Sequence, residues 1–534
     1  MYLIELNIAK FEYDIHSLVK AFYPEETVKV ITPETDAWKE AKYREQAKYQ
    51  GSITLGERKI QISLPGSGNG CRLPEGNRPD QGNIPDRSGE SGLSENAKNG
   101  EEGRKADDLK VKTAVAGVEA IPIGISYLGP EYKDILKSLL YRSLCRVTGR
   151  ELPWGNLIGI RPTKIAMQRL EAGESDREIL DFYKEKHFVS GAKAELALDI
   201  AKRERLILSQ LHYENGYSLY IGIPFCPTTC LYCSFTSFPI VSFRQKVDRY
   251  IDCLIRELDF VAEVCGDKIL DTVYIGGGTP TTLEPMQMDR LLTALEDRLD
   301  LSRLQEFTVE AGRADSITAG KLEVLKKHGV TRISVNPQTM QQETLDFIGR
   351  RHTVEQVYQA YQTARELGFD NINMDLILGL PGEEEKEVAD TIEKVKALAP
   401  DSLTVHSLAI KKASRLAKWI EQNDRSVLKN TDRTMAIAAA GASALGMKPY
   451  YLYRQKNMTG SFENVGYARE GKYGIYNILI MEELQTIVAL GAGTITKAVF
   501  PGGRIERCDC VKEVDMYMDE IDEMIERKRR LLRQ

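Results

Sequence analysis

The chain lacks the marks of several common protein classes. Its 534 residues include only nine cysteines, too sparse for a disulfide scaffold. No apolar run approaches the roughly 18 residues a membrane-spanning helix needs, so no such span is expected. The opening MYLIELNIAKFEYDIH carries acids early and has no basic stretch before a long apolar core, so no signal peptide is expected. Neither sign of charge dominates: 72 basic and 78 acidic residues leave a net charge of −6. That balance argues against nonspecific nucleic-acid binding. No short-period repeat is visible. With 42% hydrophobic and 28% charged residues, the expectation is a soluble, cytoplasmic, multi-domain protein.

Four regions follow from pattern. Residues 1–130 read as a small α+β domain: alternating stretches such as YLIELNI, SITLG and KIQISL form strands around a helix near DIHSLVKAFY. This domain is interrupted at about 65–108 by a Gly-, Asn- and Ser-rich insertion that includes Cys71. It is too polar to offset its own ordering entropy and is expected to be disordered. Residues 131–216 carry helical periodicity. From Tyr217 to about residue 410, short apolar runs alternate with helical patterns. The runs are Leu219–Pro224, Thr272–Ile275, Glu306–Val309, Arg332–Val335, Asn373–Leu378 and Ser402–Val405. Strand alternating with helix implies parallel strands with crossover helices, and six units suffice for a partial barrel. Residues 411–534 are expected to be a helical C-terminal region. The predicted fold class is thus α/β, a partial (β/α)6 parallel barrel with an α+β N-terminal extension.

Three of the nine cysteines crowd into Cys226-Pro-Thr-Thr-Cys230-Leu-Tyr-Cys233, at the end of the first barrel strand. Three thiolates from one short loop can wrap three corners of a cubane cluster, and soft sulfur selects iron–sulfur or zinc. A structural zinc site would want a fourth ligand in its own loop; Cys253 and Cys265 fall in a predicted helix and read as core residues. Three ligands leave one iron open to a small-molecule chelator. Cys508 and Cys510 read as two reduced surface thiols.

This C-x3-C-x2-C spacing resembles the radical SAM superfamily, in which it holds a [4Fe-4S] cluster whose fourth iron is chelated by S-adenosylmethionine (SAM). Tyr220-Ile-Gly-Ile-Pro-Phe-Cys226, followed by Gly276-Gly-Gly-Thr-Pro-Thr281, is similar to the oxygen-independent coproporphyrinogen III oxidases, and the layout is most like the HemZ-type members. The resemblance implies a radical SAM barrel with Cys226, Cys230 and Cys233 as cluster ligands. It also implies a set of residues contacting SAM. Gly277, Gly278 and Thr279 follow the second strand, where absent side chains let backbone approach a ligand. Glu310, Gln338 with Arg350, and Asp375 come from strands three, four and five, Ala409 follows strand six, and Ile495 lies in LGAGTIT. Tyr220 and Tyr232 match positions touching SAM, and Tyr232 is placed to stack on an adenine. These positions fall at the C-terminal ends of strands, where parallel barrels place function.

What the resemblance implies chemically is a 5′-deoxyadenosyl radical that takes a β-hydrogen from a propionate of coproporphyrinogen III. Carbon dioxide is then lost, and repetition gives protoporphyrinogen IX in haem biosynthesis. The implied partners are a tetrapyrrole substrate and an electron donor such as flavodoxin or ferredoxin. Cationic partners for the substrate's carboxylates are sought among Arg350, Arg351, Arg161, Lys164, Arg454 and Lys456. Two departures stand out. Phe235 occupies the position where the oxidases carry a further, non-ligating Cys, as in the related haem chaperones. The chaperones' H-N-x-x-Y-W segment reads Tyr476-Asn-Ile-Leu-Ile-Met481 here, leaving His406 or His352 as axial-ligand candidates. A haem chaperone, or a radical SAM enzyme acting on another tetrapyrrole, is therefore the alternative.

Overall fold

The computed structural model describes residues 1–65, 114–159, 161–235, 237–411, 414–423, 427–455 and 458–533. The expected disordered insertion, with Cys71, lies outside the described residues apart from Pro65, as does Lys456. The chain divides into two compact units, Met1–Leu152 and Pro153–Gln534.

The first unit is a five-stranded mixed sheet, β1 (Tyr2–Leu6), β2 (Val28–Ile31), β3 (Tyr49–Leu55), β4 (Lys59–Pro65) and β5 (Ala114–Ala120), in the order β2-β1-β3-β4-β5. β1 is parallel to β2 and β3; β3, β4 and β5 run antiparallel to their neighbours. In β3 and β4 every second residue is buried, the alternation of a sheet with one solvated face. Helix Pro130–Thr148 starts with Pro, ends at Gly149 in the left-handed region, and buries Tyr132, Leu136, Leu140 and Leu144.

The second unit is built on an eleven-stranded sheet. All six expected barrel strands form: β6 (Gly216–Ile223), β9 (Ile269–Gly277), β10 (Glu306–Gly312), β11 (Arg332–Val335), β12 (Ile372–Leu378) and β13 (Ser402–Ser407), each parallel to the next. Two short strands, β7 (Phe225–Cys226) and β8 (Phe238–Pro239), flank the cysteine loop.

The reading of residues 411–534 as helical needs correction. That region has helices but also five strands: β14 (Lys448–Tyr453), β15 (Asn464–Ala468), β16 (Thr486–Leu490), β17 (Ile495–Val499) and β18 (Ile505–Asp509). β16 joins β6 in parallel, while β14–β15 and β17–β18 extend the two edges antiparallel. NVGYA is buried throughout and TIVAL nearly so, which erases the period-two signal, and KPYYLY reads as an aromatic loop.

Within the barrel strands the pleat separates two kinds of side chain. Val273, Ile275, Phe307, Val309, Ile333, Val335, Met374, Leu376, Leu403 and Val405 join the hydrophobic core with the helices. The alternate positions are polar and bond across strands. Thr272 Oγ1 donates to Ser218 Oγ at 2.8 Å, and Asn373 Nδ2 to Ser334 Oγ at 2.7 Å. Asn373 Oδ1 accepts from Ser402 and Thr404 at 3.1 Å each. The barrel thus has a polar inner face. Among the described residues no helix is long and apolar enough to cross a membrane.

Candidate metal centre and cofactor cavity

β6 leads into β7, which pairs in parallel with β8 and so ties both ends of the cysteine loop. Phe238 N–H donates to Pro224 O at 2.8 Å, Leu231 N–H to Ile348 O at 2.9 Å, and Leu416 N–H to Leu231 O at 2.9 Å. The Thr228 hydroxyl donates to Gly349 O at 3.0 Å and accepts from Arg313 at 2.6 Å, while Asp315 holds the same guanidinium at 2.6 Å. The loop is ordered by the fold, so little ordering entropy is left to spend when a ligand binds.

The end of β9 meets this loop backbone to backbone. Gly278 N–H donates to Ile223 O at 2.8 Å and Thr279 N–H to Phe225 O at 2.7 Å. Gly277 adopts φ +110°, and a Cβ on Gly278 would lie 2.5 Å from Phe225 O and 3.0 Å from Cys226 Sγ. Only glycine fits there. Thr279 Oγ1 lies 3.4 Å from Cys226 Sγ.

A cavity of about 670 Å³ opens at these strand ends. It gathers Cys226, Cys230 and Cys233 with Tyr232, Gly277, Gly278, Thr279, Glu310, Gln338, Arg350, Asp375 and Ala409. Two expected residues lie elsewhere. Tyr220 stacks behind the lining residue Tyr274, ring centroids 6.1 Å apart, and Ile495 is half-exposed on β17 opposite Asp509. Tyr274, Arg332, Asn373, His406, Tyr451 and Tyr453 also line the cavity. Of these, the sequence reading singled out only His406. The first four sit on the inward positions that alternate with apolar core residues along their strands, and that alternation was the signal available. A second cavity of about 620 Å³, at the opposite strand ends beside Gln305, Thr331 and Asn371, carries no cysteine.

The cavity is strongly polarised. Burial pushes the Glu310 carboxyl up to about 7, although Tyr274 Oη donates to it at 2.6 Å. Asp375 goes the other way. Burial works to raise it, but His406, Asn373 and Thr404 together hold it below its ordinary value. His406 Nε2 lies 3.8 Å from Asp375 Oδ2, and Tyr453 Oη 3.4 Å from His406 Nδ1. Arg350, 4% exposed, donates to Asn336 O at 2.5 Å and to Tyr232 Oη at 3.1 Å. Gln338 is held at φ +71°, and its Oε1 and Arg350 Nε are buried without hydrogen-bond partners. Such orphaned groups beside the cysteines form a cradle for a polar ligand.

The sulfurs fit a metal cluster. Burial, and then the neighbouring sulfurs, push the Cys226 thiol up to about 11 and raise Cys233 as well, while Thr279 moderates the former. A metal centre reverses that penalty by binding the thiolates. Among the described residues no three Cys, His, Asp or Glu side chains converge on a single ion. A cubane does not ask for that, because each thiolate takes its own iron. Elsewhere, Cys253 and Cys265 are buried in helix Val247–Cys265 as expected, and Cys510 is buried rather than superficial. Arg161 pairs with Glu483 at 2.9 Å, and Arg454 donates to the carbonyls of Leu157 and Ser461. These two cations are spent on the fold.

A family model described as the radical SAM superfamily matches residues 220–395, and the fold is the α/β fold of a radical SAM protein. Members of that superfamily use a [4Fe-4S] cluster and SAM. The "oxygen-independent coproporphyrinogen-III oxidase-like protein HemZ" of Bacillus subtilis is 38% identical over 403 residues, 74% of this chain and 80% of that protein. The chain belongs to the oxygen-independent coproporphyrinogen oxidase family. The "heme chaperone HemW" of Bacillus subtilis is 40% identical over 194 residues, but the match spans only half of that protein and 36% of this chain. The crystallised coproporphyrinogen III oxidase HemN of Escherichia coli is similar at 22% identity and TM-score 0.48, over 60% of this chain and 72% of its own.

Proposed function

We propose that the protein carries out oxygen-independent oxidative decarboxylation of coproporphyrinogen III to protoporphyrinogen IX. The observation that supports this most is the gathering of three loop thiols, the Gly277–Thr279 turn and the Glu310, Asp375 and Arg350 side chains in one cavity. Cys226, Cys230 and Cys233 are assigned to the cluster. When bound, the cluster with SAM supplies one-electron cleavage of SAM to methionine and a 5′-deoxyadenosyl radical.

The chain's own groups orient SAM. The side-chain-free turn at Gly277 and Gly278 admits the aminoacyl end of SAM against backbone, and Glu310 and Asp375 offer carboxylates for its ammonium and ribose hydroxyls. Arg350 and Gln338 supply the unpaired Nε and Oε1 found there. Tyr232 offers a ring face for the adenine.

Anaerobic protein with reduced cluster, SAM and coproporphyrinogen III is expected to yield the two-vinyl product by chromatography. Methionine and 5′-deoxyadenosine without vinyl product would refute this substrate. A haem-transfer role is the second reading, favoured by His406 beside Tyr453 in the cavity and by Phe235 standing 76% exposed at its lining. Stoichiometric haem binding lost on His406→Ala, with no product formed, would establish it.

A further inference from the structure

Glu204 lies in helix Gly191–Leu208 and is only 1% exposed, yet neither of its carboxyl oxygens has a hydrogen-bond partner. Its helix packs on helix Ile475–Glu482, whose last residue carries a third buried oxygen without a partner, Glu482 Oε1.

Helix Ile475–Glu482 is a wall of the cysteine cavity. Asn477, Ile480 and Met481 line that cavity, and Tyr476 stacks on the lining residue Tyr274 at 4.5 Å. The helix is held at both ends. Ile475 N–H donates to Glu306, and Arg161 donates to Met481 O while pairing with Glu483.

Two neighbouring carboxylates are not both ionised in a dry interior, where neither water nor donors offset their charge. One keeps its proton, and the surroundings decide which. Arg161 and Lys164 draw Glu482 toward its ionised form, against burial and the nearby Glu483 and Glu171. Glu204 has no such help. Burial first, and then Glu482, push its carboxyl well above the ordinary carboxylate range. The other charges on and around its helix turn away: Arg203 donates to Pro449 O, Lys202 pairs with Asp176, and Lys448 on β14 is exposed.

We propose that Glu204 and Glu482 form a proton-operated latch behind the cavity wall. With the proton on Glu204 the two helices stay packed. When it leaves to solvent, two like charges repel, helix Ile475–Glu482 loosens, and the cavity with it. The inference is a regulation of the cavity read above as the SAM and tetrapyrrole site, and it rests on that reading only for its consequence. The latch itself is tested without either ligand.

The test uses full-length protein as isolated: wild type, Glu204→Gln, which keeps the shape and has no charge to gain, and Glu482→Gln. Hydrogen exchange read by mass spectrometry follows the amides of residues 475–483, corrected for the intrinsic pH dependence of exchange. Between about pH 6 and about pH 9 wild-type protection there is expected to fall by about tenfold or more, while Glu204→Gln keeps it. Glu482→Gln, which removes the repulsion, falls between the two. Melting carries the same sign. Folded Glu204 keeps a proton that the unfolded chain releases above its ordinary value of 4.5, so the wild type loses stability relative to Glu204→Gln as pH rises.

Parallel exchange and melting profiles for wild type and Glu204→Gln overturn the proposal. So does an exchange difference confined to helix Gly191–Leu208, which leaves the cavity wall untouched. A melting gain on adding magnesium or calcium ions that Glu204→Gln lacks puts a cation where the proton is proposed, and also overturns it. If Glu204→Gln does not fold, Glu482→Gln decides, and a wild-type pH profile in that variant overturns the latch. Coproporphyrin III affinity is expected to weaken with pH in the wild type and to hold in Glu204→Gln. No coproporphyrin binding at any pH sinks the tetrapyrrole reading, and the exchange comparison still decides the latch.

Discussion

Gly278 is held by neighbours on two sides, the Phe225 carbonyl and the Cys226 sulfur. Gly278→Ala therefore has to displace Cys226, the first of the three sulfurs assigned to the cluster. It is expected to cost about 1–3 kcal/mol in urea denaturation and to lower iron retention, whereas a variant with wild-type stability and iron content would contradict the close approach. Cys230→Ala removes one of the three assigned sulfurs, and iron bound after anaerobic reconstitution is expected to fall by at least about tenfold; retained iron would refute the ligand assignment. Glu310 gives a pH signature. Its carboxyl titrates near 7 in the folded chain, raised by burial from an ordinary value of 4.5. The folded state keeps a proton that the unfolded chain releases, so stability falls as pH rises between these two values. The ligand-free Glu310→Gln variant is expected to match wild-type melting at about pH 4 and exceed it at about pH 8. Parallel melting curves across that range would show that Glu310 does not titrate as described.

At the scale of elements, the cysteine loop works as a bracket. Arg313, 3% exposed, joins Thr228 to Asp315, while Thr228 reaches Gly349. Arg313→Ala leaves those acceptors unpaired and is expected to cost about 2 kcal/mol. It should also speed iron loss to a chelator, and an unaltered release rate would show that the bracket does not hold the loop. The six barrel strands were legible because helical patterns separate short runs in which apolar residues recur at every second position, and strand alternating with helix marks parallel strands with crossover helices. The cysteine spacing was legible for a similar reason: three ligands come from one loop and need no tertiary contact to be seen together. The C-terminal strands were not, since TIVAL is too short and too uniformly apolar to be told from a helix by period. Tyr274, Arg332 and Asn373 were missed because each looks like an ordinary strand residue until the pleat turns it inward. Resemblance alone placed Tyr220 and Ile495 at the cofactor; in the structure one lies a ring behind the cavity lining and the other half in solvent.

At the scale of the whole molecule, the eleven-stranded sheet of the second unit sets the C-terminal strand β16 beside β6, the strand that feeds the cysteine loop. The last helix, Ile521–Leu532, is clasped by a fully buried ion pair between Lys528 and Glu257, and Glu257 also accepts from Tyr517 Oη at 2.7 Å and Gly491 N–H at 2.8 Å. Lys528→Met leaves the carboxylate buried without its cation and is expected to cost about 3–5 kcal/mol, read by chemical denaturation. An effect near zero would mean that Glu257 is satisfied by its neutral donors alone. The central claim, that Cys226, Cys230 and Cys233 hold a cluster with one open iron, is tested most directly by Mössbauer spectroscopy of anaerobically reconstituted wild-type protein, with and without SAM. About four irons per chain in a cubane are expected, one of whose iron sites changes when SAM is added. A spectrum indifferent to SAM, or protein that binds zinc and no iron, would contradict it.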